Sequence, residues 1–315
     1  MFIKRSNKVL LTLTIIISLI TVTACSGVNK GAVSNSDEET KKETIIYQAI
    51  NGEVEIPKEP KRVVVIQGSY VGYLLQLGMN LVGAPDIVFE NTYYNGKLDE
   101  VEAIGDTPSL EKVLDLKPDL IIIPTNIDNI EEFEKIAPTI AIKYGEKNFK
   151  EQLREFGKML GKEKEAEDWI TSWNKKIAEL KPIVHKEVGN KTVSLLGLTS
   201  KEIYAYGHNF GRGGEIIYEE LQLKAPMFIQ KEAIDTGKGW TSLSHERLPE
   251  YAGDYIFIDD YAEPESILES TLWKNLTAVK DNKVFQIDPG SAYFSDPITL
   301  EKHLDFIVES LTGKK

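Results

Sequence analysis

The sequence predicts an α/β protein of two similar lobes, with mainly parallel sheets, joined by one long helix. Three observations carry this. First, short β-branched runs alternate with short helical segments on both sides of a strandless middle, the βαβ pattern of parallel sheets. Second, Trp169, Trp173, Ile177, Leu180 and Val184 recur at three- and four-residue intervals, one apolar stripe on a helix over residues 162–186. Third, a motif repeats. Ser109-Leu110-Glu111 precedes Asp119-Leu120-Ile121, and Ser244-His245-Glu246 precedes Asp254-Tyr255-Ile256 at the same spacing, each leading through a short helix into a buried strand.

The elements follow in order. Lys4, Arg5 and Lys8 precede an apolar run over residues 9–22. That run falls short of the roughly 20 residues a membrane span needs and fits the core of a secretory signal. It ends in Val22-Thr23-Ala24-Cys25-Ser26, which resembles the bacterial lipobox: small residues before a cysteine that becomes the lipidated N-terminus. An ordinary secretory signal with an incidental cysteine is the alternative. Residues 26–42, rich in Ser, Asn, Asp, Glu, Lys and Gly without an apolar period, read as a tether. The expected organisation is a signal peptide over 1–24, a lipid-tethered linker over 25–43, a first lobe over 44–146, connecting helices over 147–188 and a second lobe over 189–315.

Residues 45–56 read as a hairpin turning at Asn51-Gly52. Val63-Val64-Val65-Ile66 is a strand buried on both faces. Residues 68–70 then form a loop, 71–77 a helix ending at Gly78, and 80–83 a strand. A helix over 110–116 stops before Pro118, and Leu120-Ile121-Ile122-Ile123 is a buried strand closed by Pro124. Residues 130–136 are helical and 139–142 a strand. Residues 148–160 and 162–186 carry no strand signal. The second of these helices spans roughly 35 Å, with Pro182 expected to kink or shorten its end. Strands resume at Thr192.

Of the 315 residues, 42% are apolar, which suits a folded body, and a net charge of −12 disfavours nucleic acid as a partner. Loss of the signal removes three positive charges and makes the chain more acidic still. One cysteine excludes an internal disulfide, and His185, His208, His245 and His303 lack helical pair spacing, so no protein-supplied metal site and no cofactor are expected. Phosphate-loop, nucleophile-elbow and zinc-protease motifs are absent, so the chain does not read as an enzyme.

The stretch Gly207 to Glu215 is glycine-rich and precedes a helix over 215–221. It reads as a tight turn, with an anion cradle as the alternative. It displays Phe210 and Arg212 beside Tyr204 and Tyr206, which share a face if their segment is a strand. Tyr144 follows the last strand of the first lobe, Trp240 sits in a glycine-rich loop, and Tyr293 follows Asp288-Pro289-Gly290. Ligands of open α/β sheets bind beyond the carboxyl ends of strands, where these loops belong. Several aromatics there suggest a flat-walled apolar pocket with few charges.

The lipobox, Lys61-Arg62-Val63-Val64-Val65, Gly105-Asp106-Thr107-Pro108, Lys117-Pro118-Asp119-Leu120-Ile121, Ile136-Ala137-Pro138-Thr139, Tyr206 to Glu215, and Trp273-Lys274-Asn275-Leu276-Thr277-Ala278-Val279 together resemble the iron-siderophore substrate-binding lipoproteins of bacterial ABC importers. The likeness runs from about residue 44 to 312. Within that family it is nearest the ferric-hydroxamate binders. The resemblance implies the class III, helical-backbone periplasmic-binding-protein fold and a monomer lipid-anchored through Cys25 on the extracytoplasmic face of the cell membrane. It implies a ligand that is an Fe(III)-siderophore complex. Arg212 would donate to the hydroxamate oxygens, with Tyr204 beside them; Phe210, Trp240 and Tyr293 would wall the pocket, and Tyr144 would face them from the first lobe. Phe210 and Tyr293 stand where relatives carry Trp, which leaves the preferred siderophore open. Glu111 and Glu246 match acidic residues that dock on arginines of the permease, which works with its ATPase.

Charge distinguishes ligand classes. Ferric hydroxamates are neutral or singly positive, whereas ferric catecholates carry several negative charges whose desolvation needs several basic partners. Arg212 alone is cationic among the expected contacts, which favours hydroxamate. A haem or corrinoid receptor with His208 as axial ligand is the nearest rival reading. An extracellular enzyme or an accessory protein that binds a partner surface is a more distant one.

Overall fold

The computed structural model describes residues 43–262 and 265–314. The signal peptide, Cys25 and most of the tether lie outside the described residues. Among the described residues no helix is long and apolar enough to cross a membrane.

Strands β1 (Thr44–Ala49) and β2 (Gly52–Pro57) form the hairpin. Its register pairs Ala49 with Gly52, so the turn lies at Ile50-Asn51, one residue earlier than expected. The reason is that the Asn51 side chain is used elsewhere. Its Oδ1 accepts from Ala141 N at 3.0 Å and its Nδ2 donates to Thr139 O at 2.9 Å, seating the hairpin on the edge of the first lobe's sheet.

That sheet comprises β3 (Val63–Val65), β4 (Leu81–Ala84), β5 (Glu102–Ala103), β6 (Leu120–Pro124) and β7 (Thr139–Ile142) in the order β5-β4-β3-β6-β7, all parallel. Helices α1 (Gly68–Gln76), α2 (Leu110–Asp115) and α3 (Ile130–Glu134) connect its strands. α1 begins at Gly68 rather than Val71. Gly and Ser are poor helix formers, but buried Gly68 and Tyr70 face the core, and packing overrides propensity.

Helix α4 (Phe149–Leu160) opens with a capping box between Asn148 and Glu151. Helix α5 (Glu163–Val188) follows, 26 residues long, and runs through Pro182 without ending there. Its stripe is buried at Trp169, Trp173, Ile177 and Val184 and half-buried at Leu180: Trp169 and Trp173 stack at 5.2 Å, and Phe149 meets both edge-on.

The second sheet has the order β10-β9-β8-β11-β12, from β8 (Val193–Thr199), β9 (Ile203–Tyr206), β10 (Trp240–Leu243), β11 (Tyr255–Ala262) and β12 (Val284–Gln286). β8, β11 and β12 are parallel, whereas β9 runs antiparallel to both neighbours. The turn from Thr199 to Ile203 is too short for a parallel crossover. Thr199 Oγ1 closes it by donating to Glu202 O at 2.7 Å.

The internal repeat has a structural counterpart. Asp119, just before β6, accepts from Lys61 N at 3.0 Å and Arg62 N at 2.8 Å, just before β3. Asp254, just before β11, accepts from Thr192 N at 2.7 Å, just before β8. In both lobes the aspartate ties the start of the first strand to the strand paired with it (Val63 with Leu120, Val193 with Tyr255).

The last helix, Pro297–Thr312, packs on α1 and α5 as well as on the second lobe. Asp296 caps it by accepting from Ile298 N at 3.0 Å, and the same carboxylate accepts from Tyr94 Oη at 2.6 Å. Tyr73 Oη donates to Ser295 O at 2.8 Å and Asn91 Nδ2 to Thr299 Oγ1 at 3.0 Å. Gly72 permits this approach: a Cβ there would lie 1.9 Å from Asp296 Oδ1. One apolar cluster therefore runs continuously through both lobes and the connecting helices.

Candidate ligand-binding site

Strand alternation puts Tyr204 and Tyr206 on one face of β9, their rings 6.4 Å apart and nearly parallel. Trp240 pairs with Tyr206 across the ladder, which sets its ring 5.8 Å from Tyr204. The chain then turns sharply. Gly211, Arg212 and Gly213 all have positive φ, 74°, 58° and 80°, and Arg212 alone of the three bears a side chain in that region. The turn spends its own N–H groups: Gly211 N donates to Glu215 Oε1 at 3.0 Å, Arg212 N to Ala292 O at 2.7 Å, and Gly214 N to Gly211 O at 2.9 Å. The glycines therefore serve a tight turn rather than an anion cradle. Gly214 packs so closely that a Cβ would lie 2.0 Å from Gly207 O.

This turn displays Phe210 and buries Arg212. Phe210 stacks on Tyr206 at 5.9 Å and stands 6.2 Å from Trp240. The guanidinium of Arg212 lies between two phenol rings, 4.2 Å from the Tyr206 centroid and 4.4 Å from that of Tyr293. Its Nη1 donates to Phe210 O at 2.8 Å, and its Nε to Asp259 Oδ2 at 2.7 Å. Burial pushes the Tyr206 and Tyr293 phenols up, with Arg212 opposing.

Tyr204, Phe210, Arg212, Trp240 and Tyr293 line one open cavity of about 330 Å³, with Thr199 and Tyr206. Tyr144 is not among them. It lines an adjoining chamber between the lobes, 6.3 Å from Tyr70, and Phe210 is the wall common to both spaces. His208, the axial-ligand candidate of the haem reading, also lies in that chamber, and burial holds its imidazole below the ordinary value. Among the described residues no group of three or more His, Cys, Asp or Glu could hold a metal ion.

Asp259 escapes the sequence reading, although a signal exists: it is an acidic residue directly after the apolar run Tyr255-Ile256-Phe257-Ile258. A carboxylate directly after a buried apolar run requires a partner, but the sequence does not say which. Tyr70, Gln152 and Glu215, polar residues of the adjoining chamber, escape it too. Glu111 and Glu246 are both exposed, Glu111 in the first turn of α2 and Glu246 in the short turn His245–Arg247. A bond from its own backbone, then one from Ser244, holds the Glu246 carboxyl below its usual range.

The periplasmic binding protein family model matches residues 63–290. This chain belongs to the periplasmic binding protein family. It therefore sits among carriers of substrate, not among enzymes. The chain is 49% identical over 298 residues to the iron(3+)-hydroxamate-binding protein FhuD of Bacillus subtilis, covering 93% of this chain and 95% of that one. It is 51% identical, with a TM-score of 0.81, to the crystal structure of a FhuD fold-family protein of Bacillus subtilis, described as a binding-protein component of a ferrichrome ABC transporter; the match covers 85% of this chain and 100% of that one. The structure of Staphylococcus aureus FhuD2 with bound ferrioxamine B is 33% identical at a TM-score of 0.74, covering 81% and 99%. The two-lobed fold with its long helix is that of this periplasmic binding protein family.

Proposed function

We propose that the protein is an extracytoplasmic, lipid-anchored receptor that captures a ferric hydroxamate and delivers it to an ABC permease and its ATPase. The observation that carries this is Arg212, which lines an aromatic cavity and is paired behind that wall with buried Asp259. The pair is neutral as a whole, so the cavity sets no net positive charge against a ligand. A polyanionic chelate would lose its hydration without recompense, whereas a neutral or singly positive one would not. The relatives named for iron hydroxamates and ferrichrome support the same reading.

In this reading Arg212 donates to the hydroxamate oxygens, and Tyr204, Phe210, Trp240 and Tyr293 cover the chelate's apolar faces. The iron arrives with its coordination completed by the siderophore, so no protein ligand to the metal is required. Tyr144 meets the chelate from the first lobe. Cys25 carries the lipid, Glu111 and Glu246 meet the permease, and the receptor works as a monomer.

Titration of tryptophan fluorescence tests the ligand class, since Trp240 lines the cavity. Ferrichrome and ferrioxamine B should quench the signal at concentrations where ferric enterobactin does not. The reverse ranking would sink the charge argument.

A further inference from the structure

Beyond Phe210, the inter-lobe chamber encloses about 290 Å³, and its wall differs in kind from the aromatic cavity. Tyr70, Gln152, His208 and Glu215 line it, and each carries a buried polar atom, Tyr70 Oη, Gln152 Nε2, His208 Nδ1 and Glu215 Oε2, with no hydrogen-bond partner within the protein. Tyr70, Gln152 and Glu215 are only 2%, 6% and 7% exposed. Folded interiors pair nearly all such groups, so several on one wall mark a surface shaped for a polar guest.

The sign of that guest follows from the charges. Glu215 and Glu219 stand one turn apart on the helical segment Glu215–Glu220 and both line the chamber. Glu215 already accepts through Oε1 from Gly211 N and from Ser295 Oγ, which leaves Oε2 buried and unpartnered. Of the nearby cations, Lys150 pairs with Glu220 at 2.6 Å and Lys143 with Glu146 at 2.7 Å. Lys147 lines the chamber, is exposed, and is offset by Glu146 on the same wall. His208 Nε2 lies 3.8 Å from Glu219 Oε1, and burial favours its neutral imidazole. Burial and the neighbouring Glu215 and Glu220 push the Glu219 carboxyl up to about 7, with Lys150 opposing, and burial raises Glu215 as well. A cation brought between the two would relieve that repulsion. The rings of Tyr70 and Tyr144, 6.3 Å apart, offer apolar cover for a short methylene chain.

We infer that this chamber is a second subsite, which takes the primary ammonium arm of a cationic hydroxamate chelate whose iron core lies against the aromatic wall. The inference rests on the function proposed above and narrows it to a preference among hydroxamates. An ammonium group carries three donors and no acceptor, which suits the oxygens of Glu215, Glu219 and Tyr70. A backbone-only or neutral chelate would leave those oxygens unmet.

The test compares two probes with one iron core: ferrioxamine B, which ends in a primary amine, and its N-acetylated form, which does not. At pH 8 the wild-type protein should bind the charged form about tenfold more tightly. In the double variant Glu215→Gln, Glu219→Gln that ratio should fall to near one. If the double variant does not fold, Glu219→Gln alone, at a position with 40% side-chain exposure, should lower the ratio about threefold. Equal affinity for both probes in the wild type, or an unchanged ratio in the variants, overturns the subsite while leaving the receptor reading intact. A wild-type protein that binds neither probe overturns the receptor reading and the subsite together.

Discussion

Arg212, on the wall of the aromatic cavity, forms an ion pair with buried Asp259, Nε to Oδ2 at 2.7 Å, with Arg212 4% and Asp259 0% exposed. The two residues come from a strained turn and from the middle of the central strand β11, and each is the other's condition for burial. Removal of either leaves a desolvated charge.

Asp259→Ala should therefore destabilise the fold by about 3–5 kcal/mol, the cost of an uncompensated buried charge. Replacing the pair by apolar residues, Arg212→Met with Asp259→Leu, should recover most of that stability but not ligand binding. Chemical denaturation and fluorescence titration on the same variants separate the two effects. Full hydroxamate affinity in the double variant would count against a role for the guanidinium.

The turn that shapes the cavity depends on Gly214. Its Cβ would meet Gly207 O at 2.0 Å, and backbone cannot step aside as a side chain can. Gly214→Ala should lower stability by about 1–3 kcal/mol and displace Phe210 and Arg212, weakening hydroxamate binding as well. Thermal unfolding and titration of the purified variant would check both, and unchanged affinity would mean that the turn tolerates the shift.

Glu111 and Glu246 are exposed and are not among the residues that line the cavity. Glu111→Ala combined with Glu246→Ala should leave chelate binding and stability unaltered and abolish iron uptake by cells. Normal uptake of radiolabelled ferric hydroxamate would remove them from the permease interface.

His303 is buried at 1% exposure, beside Ser291 at 3.0 Å and edge-on to Tyr93 at 5.9 Å. Burial pulls its imidazole from the ordinary 6.5 down to about 4. The folded state thus favours neutral His303. Its contribution is complete above pH 6.5 and is lost as pH falls toward 4, up to about 3 kcal/mol. Glu219 acts in the opposite sense, because a raised carboxyl loses stability as pH rises through 7. The difference in unfolding free energy between wild type and His303→Leu, followed from pH 7 to pH 4, isolates the histidine. That difference should shrink on acidification.

Much of the fold is legible in short-range pattern. The buried strands β3, β6 and β7 stand out as β-branched runs, Asn148 and Glu151 announce the start of α4, and the tryptophan stripe marks the buried face of α5. The repeated Ser, Glu and Asp positions indicate two equivalent lobes because each aspartate performs the same local task, tying down the start of a neighbouring strand. Tyr144, Phe210 and Tyr293 follow strands, as ligand loops of α/β sheets do, whereas Trp240 opens the edge strand β10 rather than lying in a loop, because it pairs with Tyr206. Alternation along β9 and the tight glycine turn are local facts.

The sequence by itself determined the two α/β lobes, the long connecting helix and the set of rings at one sheet's edge, since periodicity and turn chemistry act over a few residues. Only the tertiary structure decided that Asp259 answers Arg212, that Asn51 docks a hairpin on β7, that the last helix is stitched to the first lobe through Tyr94 and Asp296, and that Tyr144 faces a polar chamber instead of the aromatic cavity. These pairings join residues far apart in the chain. Their partners are chosen by strand order and helix packing, and no local pattern encodes which of many polar residues will be the one brought near.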